Sequence, residues 1–204
     1  MTKKIVILIL IWLIYVYLDY FILPYFVQPF LWLLVCLALL ILTIRQVIKI
    51  IKQRKKLNSS RILNFSLTLI LLFLTFWNFN KFPHFVMEKL DWTISYSKRQ
   101  QIVKDVIDGK LKSNTKMNNG ICELPFNFPI VSNGGNDIWI HNYKNRKTKT
   151  IKFWISRGFF ESPQTYFIYT NDTRDKKYYQ KLIEKEPENN WKLKNNWYRI
   201  MQRE

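Results

Sequence analysis

The stretch "RQVIKIIKQRKKLNSSR", residues 45 to 61, contains seven lysines or arginines and no acidic residue. Apolar runs flank it on both sides, "FLWLLVCLALLILTI" at 30 to 44 and "ILNFSLTLILLFLTFWNF" at 62 to 79. A basic segment can bind nucleic acid, bind anionic lipid or set the topology of a membrane protein. Its position between two apolar runs favours a topology signal and a lipid anchor over a nucleic-acid patch.

A third apolar run lies nearer the N-terminus. "IVILILIWLIYVYLDYFIL" covers residues 5 to 23, with Asp19 as its one charged residue. About 20 apolar residues cross the hydrocarbon core of a bilayer as a helix. No cleavage site of small residues follows, so we expect a retained helix and not a signal peptide. The sequence predicts a three-helix transmembrane module at 1–82, with spans at 5–23, 30–48 and 62–80.

The bases of the 45–61 segment are expected to anchor lipid headgroups, and membrane lipid is therefore an expected partner. Long basic side chains can leave their stems in the apolar layer while their charges reach the headgroups. The predicted anchors are Arg45, Lys49, Lys52, Arg54, Lys55, Lys56 and Arg61.

Loop charge predicts the orientation of the helices. Short loops rich in Lys and Arg stay in the cytoplasm, and the connection at 24–29 has no base. The basic loop at 45–61 and the N-terminus with Lys3 and Lys4 are then cytoplasmic, and residues 83–204 are extracytoplasmic. This predicts a multi-pass protein of the cell membrane. A cytosolic C-terminal domain is the alternative.

Residues 83–204 have the mixed composition of a soluble domain. "SYSKRQQIVKDVIDGKLKSN" predicts an amphipathic helix, with Ser97 as its N-cap and Gly109 at its C-terminal end. Alternating apolar residues predict strands in "DIWIHNY", "TIKFWIS" and "TYFIYT". "GICELPF" and "NNWYRIMQ" are further strand candidates, and "DKKYYQKLIEK" is a candidate short helix. We therefore predict a soluble α+β domain, one helix followed by an antiparallel meander of four or five strands.

The order of four segments in this domain resembles a family of uncharacterised bacterial proteins. The segments are "SKRQQIVKDVIDGKL", "ELPFNFPIVSNGGNDIWI", "IKFWISRGFFESPQTYFIYTND" and "NNWYRI". The resemblance implies a C-terminal α+β domain in which an Arg-Gly turn leads to an aromatic strand, with a Trp-Tyr strand at the end. It implies no known activity.

The net charge of +18 favours anionic partners. Nucleic acid, anionic lipid and an anionic envelope polymer all fit the charge, and another protein is a further possible partner. Nucleic acid is not expected if the domain lies outside the cytoplasm. It is the expected ligand only in the alternative with a cytosolic domain.

The stretch "SRGFFESP", residues 156 to 163, joins two predicted strands and is the main candidate for recognition. An exposed loop here would offer aromatic and charged groups to a partner. The structural alternative is that a phenylalanine fills the core and Arg157 pairs with a neighbouring residue. The predicted interaction site consists of Trp139, His141, Arg157, Phe159, Phe160 and Glu161.

Patterns typical of metal, cofactor or nucleophile sites are missing from the sequence. The histidines are His84 and His141, the cysteines are Cys36 and Cys122, and no His-x-x-x-His or Cys-x-x-Cys spacing occurs. No metal and no cofactor are expected. "SNGGND", at 132 to 137, is interpreted as a turn because it lacks the spacing of a phosphate-binding loop.

Asp19 is expected to be a solvated carboxylate at the membrane interface. Together these features favour a non-enzymatic, membrane-tethered interaction or binding module. Two hypotheses from other classes stay open. One is a membrane-surface enzyme with a site near His141 and Arg157, and the other is a nucleic-acid binder on the cytosolic side.

Overall fold

The computed structural model describes residues 3–24, 26–53, 58–77, 82–115, 120–143, 148–157 and 163–202. The chain forms two compact units, Met1–Lys89 and Leu90–Glu204. The predicted boundary at 82/83 falls at the start of a long helix, and the two units divide within that helix.

The described residues of the first unit contain three complete helices, α1 (Lys3–Phe21), α2 (Gln28–Lys52) and α3 (Ser59–Phe76), and the beginning of a fourth. Each of the three complete helices is long and apolar enough to cross a membrane, which confirms the prediction of a multi-pass membrane protein. α2 continues beyond the predicted span, so residues 45–52 are helical and the basic segment is only partly a loop. Asn58 caps α3 by accepting a hydrogen bond from the backbone N–H of Arg61 at 3.0 Å.

Polar contacts join the three helices at Thr75 of α3. The indole N–H of Trp12 donates to Thr75 Oγ1 at 2.8 Å, and the indole N–H of Trp32 donates to the Thr75 carbonyl at 2.7 Å. Tyr15, Leu39 and other apolar side chains pack around these bonds. Interhelical hydrogen bonds and close packing hold helices together where both solvent and core are apolar.

Helix α4 (Phe82–Ile107) is longer than predicted, and Ser97 lies in its interior. The prediction that Ser97 begins the helix is therefore wrong. A proline in the first turn, here Pro83, favours an earlier start because its fixed φ suits that position. The predicted C-terminal end is confirmed. Gly109 has φ 75°, its N–H bonds to the Val106 carbonyl at 3.2 Å, and the next N–H bonds to the Asp105 carbonyl at 2.8 Å.

Among the described residues, six antiparallel strands form one sheet in the order β1-β2-β3-β4-β6-β5. The strands are β1 (Ile121–Glu123), β2 (Asp137–Asn142), β3 (Lys149–Ser156), β4 (Gln164–Thr170), β5 (Trp191–Lys194) and β6 (Trp197–Gln202), and α5 (Thr173–Lys185) follows β4. This confirms the predicted α+β class. The prediction missed β5, because "WKLK" is short and half basic.

The two faces of the sheet pack against different helices. On one face, the Trp92 ring of α4 lies 5.1 Å from Phe167 and 5.3 Å from Trp197. On the other face, the Tyr179 ring of α5 lies 5.6 Å from Tyr198. Successive side chains of a strand point to opposite faces, so β3, β4 and β6 each contribute buried apolar residues to both layers.

A buried ion pair lies in the layer beneath α4. Arg99 donates to both carboxylate oxygens of Asp91 at 2.8 Å, to the Asp91 carbonyl at 3.2 Å and to the Val131 carbonyl at 2.8 Å. Its guanidinium also lies 4.5 Å from the centre of the Phe167 ring. Both side chains of the pair are fully buried. These contacts compensate much of the cost of removing two charges from water.

Candidate functional site

Aromatic rings and cations share the sheet face that α5 partly covers. Trp154 and Tyr166 belong to neighbouring strands, and their ring centres are 5.6 Å apart. Lys152 of the same face holds its Nζ 5.0 Å from the centre of the Tyr166 ring. Arg157, just after β3, places its guanidinium carbon 4.3 Å from the centre of the Trp154 ring. We call these four residues the cation–aromatic face.

Gln164 and Gln202 hold the members of this face in place. Gln164 Oε1 accepts hydrogen bonds from Trp154 Nε1 at 3.0 Å and from the Tyr166 hydroxyl at 2.6 Å. Lys152 Nζ donates to Gln202 Oε1 at 2.8 Å. The rings are nearly buried while Lys152 is half-buried, so the aromatic part forms a rigid base under the charges.

Arg157 is fixed by contacts on two sides. Its Nε donates to the Asn133 carbonyl at 3.1 Å, and one terminal nitrogen donates to Asp137 Oδ2 at 3.0 Å. The side chain remains 28% exposed. Arg157 thus pairs with a neighbour, as in the structural alternative, whereas the phenylalanines of that alternative lie outside the described residues. The paired guanidinium is a preorganised cation that water can reach.

The structure confirms the interpretation of "SNGGND", residues 132–137, as a turn. This turn lies against the Arg157 side chain. Gly134 has φ 82°, and a Cβ at this position would lie 2.8 Å from Arg157 Nε. Only glycine gives this backbone conformation freely and leaves room for the guanidinium. Asn136 stabilises the turn, because its Oδ1 accepts from the Val131 N–H at 2.7 Å and its Nδ2 donates to the Pro129 carbonyl at 2.9 Å.

The structure brings only part of the predicted interaction site together. Trp139 packs against the cluster that contains Trp154 and Tyr166. Phe159, Phe160 and Glu161 lie outside the described residues. Their predicted role in recognition stays a prediction.

His141 lies away from Arg157. It pairs with Thr150 near the far end of β2, whereas Arg157 bonds to Asp137 at the beginning of that strand. Four residues of strand separate the two positions by about 13 Å. The His141 ring instead meets Tyr143 edge-on, with ring centres 4.5 Å apart. A single catalytic site that uses both side chains would have to span that distance.

Asp19 is buried in the first unit, so its expected solvation is wrong. It is 3% exposed, and its Oδ2 lies 2.9 Å from Nε2 of His84. Gln28 also donates to the Asp19 carbonyl at 2.8 Å. Sequence distance concealed this pair, because His84 lies beyond the third span and approaches Asp19 only when the helices pack.

Cys122 is fully buried, and burial, then the charges of Asp137 and Glu123, raises the pKa of its thiol above the ordinary value. A raised pKa disfavours the thiolate that a nucleophile needs. In the part of the chain that the structure describes, no group of three or more His, Cys, Asp or Glu side chains could hold a metal ion.

Some of the predicted lipid anchors lie on helices, and the others lie outside the described residues. Arg45, Lys49 and Lys52 belong to α2, and Arg61 lies in the first turns of α3. Arg54, Lys55 and Lys56 lie outside the described residues.

Comparison with protein families, curated proteins and solved structures finds no family model, curated sequence or solved structure that matches this chain. The resemblance to uncharacterised bacterial proteins therefore stays a prediction.

Proposed function

We propose that this membrane protein is a tethered binding module whose α+β domain binds an anionic partner through the cation–aromatic face. The observation that carries the proposal is the fixed position of two cations over adjoining rings, Arg157 over Trp154 and Lys152 over Tyr166. Preorganised cations bind anions with less loss of side-chain freedom than mobile surface lysines do.

The proposal places this domain outside the cytoplasm. The bases of the 45–61 segment and Lys3 and Lys4 support a cytoplasmic position for that end of the helices, whereas the connection at 24–29 has none. The three candidate spans among the described residues are an odd number, which supports a position of the domain on the opposite side. The basic charge of the domain does not oppose this orientation, because long domains are translocated largely regardless of charge.

An anionic polymer of phosphodiester chemistry fits this face best among the partners considered. Guanidinium groups donate well-aligned hydrogen bonds to phosphate oxygens, and ammonium groups bind them as point charges. A polymer can reach both cations at once, which raises its apparent affinity over that of a single phosphate. We therefore favour an envelope polymer over a single small anion or another protein.

The test uses the full chain in phosphatidylcholine nanodiscs and a fluorescent poly(glycerol phosphate) as the probe. Lys152→Gln removes one positioned cation, and we expect it to weaken binding about tenfold, as for a lost hydrogen bond to a charged group. Fluorescence anisotropy gives the affinities. Lys194→Gln is the matched control, because Lys194 is an exposed base of the same sheet whose Nζ lies over the Tyr96 ring of α4, on the opposite face.

Binding that is unchanged in the control but reduced in Lys152→Gln supports the proposal. Equal losses in the two variants would show that net charge alone attracts the polymer. Tighter binding of a single-stranded oligonucleotide than of poly(glycerol phosphate) would instead support the nucleic-acid hypothesis.

A further inference from the structure

A cavity of about 1000 Å³ opens at one end of the three-helix unit. Its lining comes from α1, α2 and α3 and from Gln53, just after α2. The basic residues that line it are Lys3, Lys4, Arg45, Lys49 and Arg61. We call this space the basic cavity.

The charge of the basic cavity is one-sided. Five bases and no Asp or Glu are among the described residues that line it. Arg61 donates to Gln53 Oε1, which holds one base at the rim. Like charges held close together repel each other, so an anion between them lowers the electrostatic energy. The bases therefore favour an anionic group in the mouth of the cavity.

The lining changes from basic to apolar along the helices. On α1 it runs from Lys3 to Ile11, a rise of about 12 Å at 1.5 Å per residue. Ile7 and Ile11 line the cavity but are also 55% and 58% exposed on the outside of the helix unit. Leu42 of α2 continues the apolar wall. The cavity thus joins a charged mouth to a surface that faces hydrocarbon in a membrane.

One polar contact lies deeper between α2 and α3. Gln46 and Asn64 line the cavity, and Gln46 Nε2 donates to Thr68 Oγ1 at 2.9 Å. Thr68 in turn donates to the Asn64 carbonyl at 2.8 Å. The first bond joins α2 to α3 and the second lies within α3, so the basic side chains extend from two helices that are hydrogen-bonded to each other.

We propose that the basic cavity binds an anionic glycerophospholipid as a specific ligand, with the phosphate among the five bases and the acyl chains along Ile7 and Ile11. This is distinct from general attraction of headgroups to a basic loop, because only the bases that line the cavity take part. It is also independent of the proposed polymer binding, which concerns the other unit.

Free phosphate shares the charge of this ligand but not its hydrocarbon. A soluble anion would gain nothing from the apolar wall, whereas a lipid buries its first methylene groups against it. The shared chemistry is a phosphate, and the apolar wall favours the lipid as its source.

The experiment is native mass spectrometry of the full chain in a neutral detergent, titrated with phosphatidylglycerol or with phosphatidylcholine. We expect the wild-type chain to retain one phosphatidylglycerol in preference to phosphatidylcholine. Lys49→Gln should weaken this retention about fivefold, the effect of one base near an anionic lipid. Lys49→Arg should retain the lipid, since it keeps the charge.

Lys52→Gln is the matched control. Lys52 lies on the same helix three residues further on and carries the same charge, but it does not line the cavity. Equal losses in Lys49→Gln and Lys52→Gln would overturn the proposal in favour of general charge attraction. Equal retention of both lipids, or displacement of phosphatidylglycerol by excess inorganic phosphate, would overturn it as well.

Discussion

The basic cavity and the cation–aromatic face use positive charge in opposite ways. In the helix unit, five bases line an open cavity without an acidic residue among its described lining. In the α+β domain, Arg157 and Lys152 are bound to a carboxylate or an amide and lie on aromatic rings. The first arrangement attracts an anion by accumulated charge, and the second holds each cation in a defined place.

Net charge is therefore a poor guide to binding until the contacts of each charged side chain are known. Exposed charges are screened within about 8 Å at physiological salt. Cations fixed by hydrogen bonds keep their geometry when salt weakens the long-range field. We therefore expect lipid retention in the basic cavity to depend more steeply on salt than polymer binding at the cation–aromatic face.

The largest loss of stability should come from Arg99→Ala, which destabilises the α+β domain and leaves the helix unit intact. The variant leaves Asp91 buried without its partner, and we expect a loss of about 3–5 kcal/mol in the free energy of unfolding. Guanidinium unfolding of the full chain, followed by circular dichroism, measures it. Polymer binding should decrease because the α+β domain is destabilised, whereas phosphatidylglycerol retention by the helix unit should persist.

Lys104→Ala is the control for Arg99→Ala, since Lys104 is an exposed base on the same helix. It should change the free energy of unfolding by less than about 0.5 kcal/mol. If the alanine variant fails to fold, Arg99→Lys replaces it in the experiment. The lysine variant should lose part of the stability, because an ammonium cannot make the bidentate contact with the Asp91 carboxylate. An Arg99→Ala chain as stable as wild type would show that the buried pair is not needed.

A smaller effect is expected from Gly134→Ala, which separates Arg157 from its turn. The new Cβ would lie 2.8 Å from Arg157 Nε, and the backbone has φ 82°. We expect a cost of about 1–2 kcal/mol in stability together with weaker polymer binding, because the guanidinium must move. Anisotropy and unfolding of the same preparation separate the two effects.

Gly109→Ala is a control with similar backbone strain at another place. Gly109 has φ 75°, and the nearest side-chain atom to a Cβ there is Lys112 Cε at 3.9 Å. The substitution should lower stability by a similar amount without changing polymer affinity. If both variants lost polymer binding equally, the fixed position of Arg157 would not explain recognition.

The smallest effect is a loss of stability at alkaline pH. Tyr179 is 3% exposed, and burial, then the charge of Asp175, raises the pKa of its phenol above the ordinary 10.0. Above that pH the unfolded chain releases the phenol proton while the folded chain keeps it, so stability falls as pH rises. Between pH roughly 9 and roughly 11 this group should cost about 1 kcal/mol.

Tyr179→Phe should remove this part of the alkaline loss, as measured by urea unfolding at both pH values. Tyr178→Phe is the control, because Tyr178 is the exposed neighbour on α5. An alkaline loss unchanged by Tyr179→Phe would assign the effect to other groups of the chain.

Long-period patterns predicted most of the fold. Apolar runs of membrane length and alternating strands such as "TIKFWIS" depend on neighbouring residues alone, so they could be read without a structure. The start of α4 could not be predicted in this way, because the capping pattern at Ser97 is a local signal and the helix continues through it. The strand "WKLK" was missed because its pairing with β6 is a tertiary property.

The candidate site was only partly predictable for the same reason. Arg157 and Trp139 could be singled out because of their residue types and the predicted strands. The contacts of Lys152 with Tyr166 and Gln202 cross three strands and depend on register. The pairs Asp19–His84 and Arg99–Asp91 likewise form only after helices turn and pack. Sequence patterns predict helices and strands, whereas the contacts between distant side chains become known only from the folded structure.

We propose that the basic cavity and the cation–aromatic face lie on opposite sides of the membrane. The most direct measurement is a pair of reporter fusions, one fluorescent only in the cytoplasm and one enzymatically active only outside it, placed after Glu204 and after Gln53. We predict activity of the external reporter at Glu204 and fluorescence at Gln53. Fluorescence at both positions would contradict this orientation and place the cation–aromatic face in the cytoplasm.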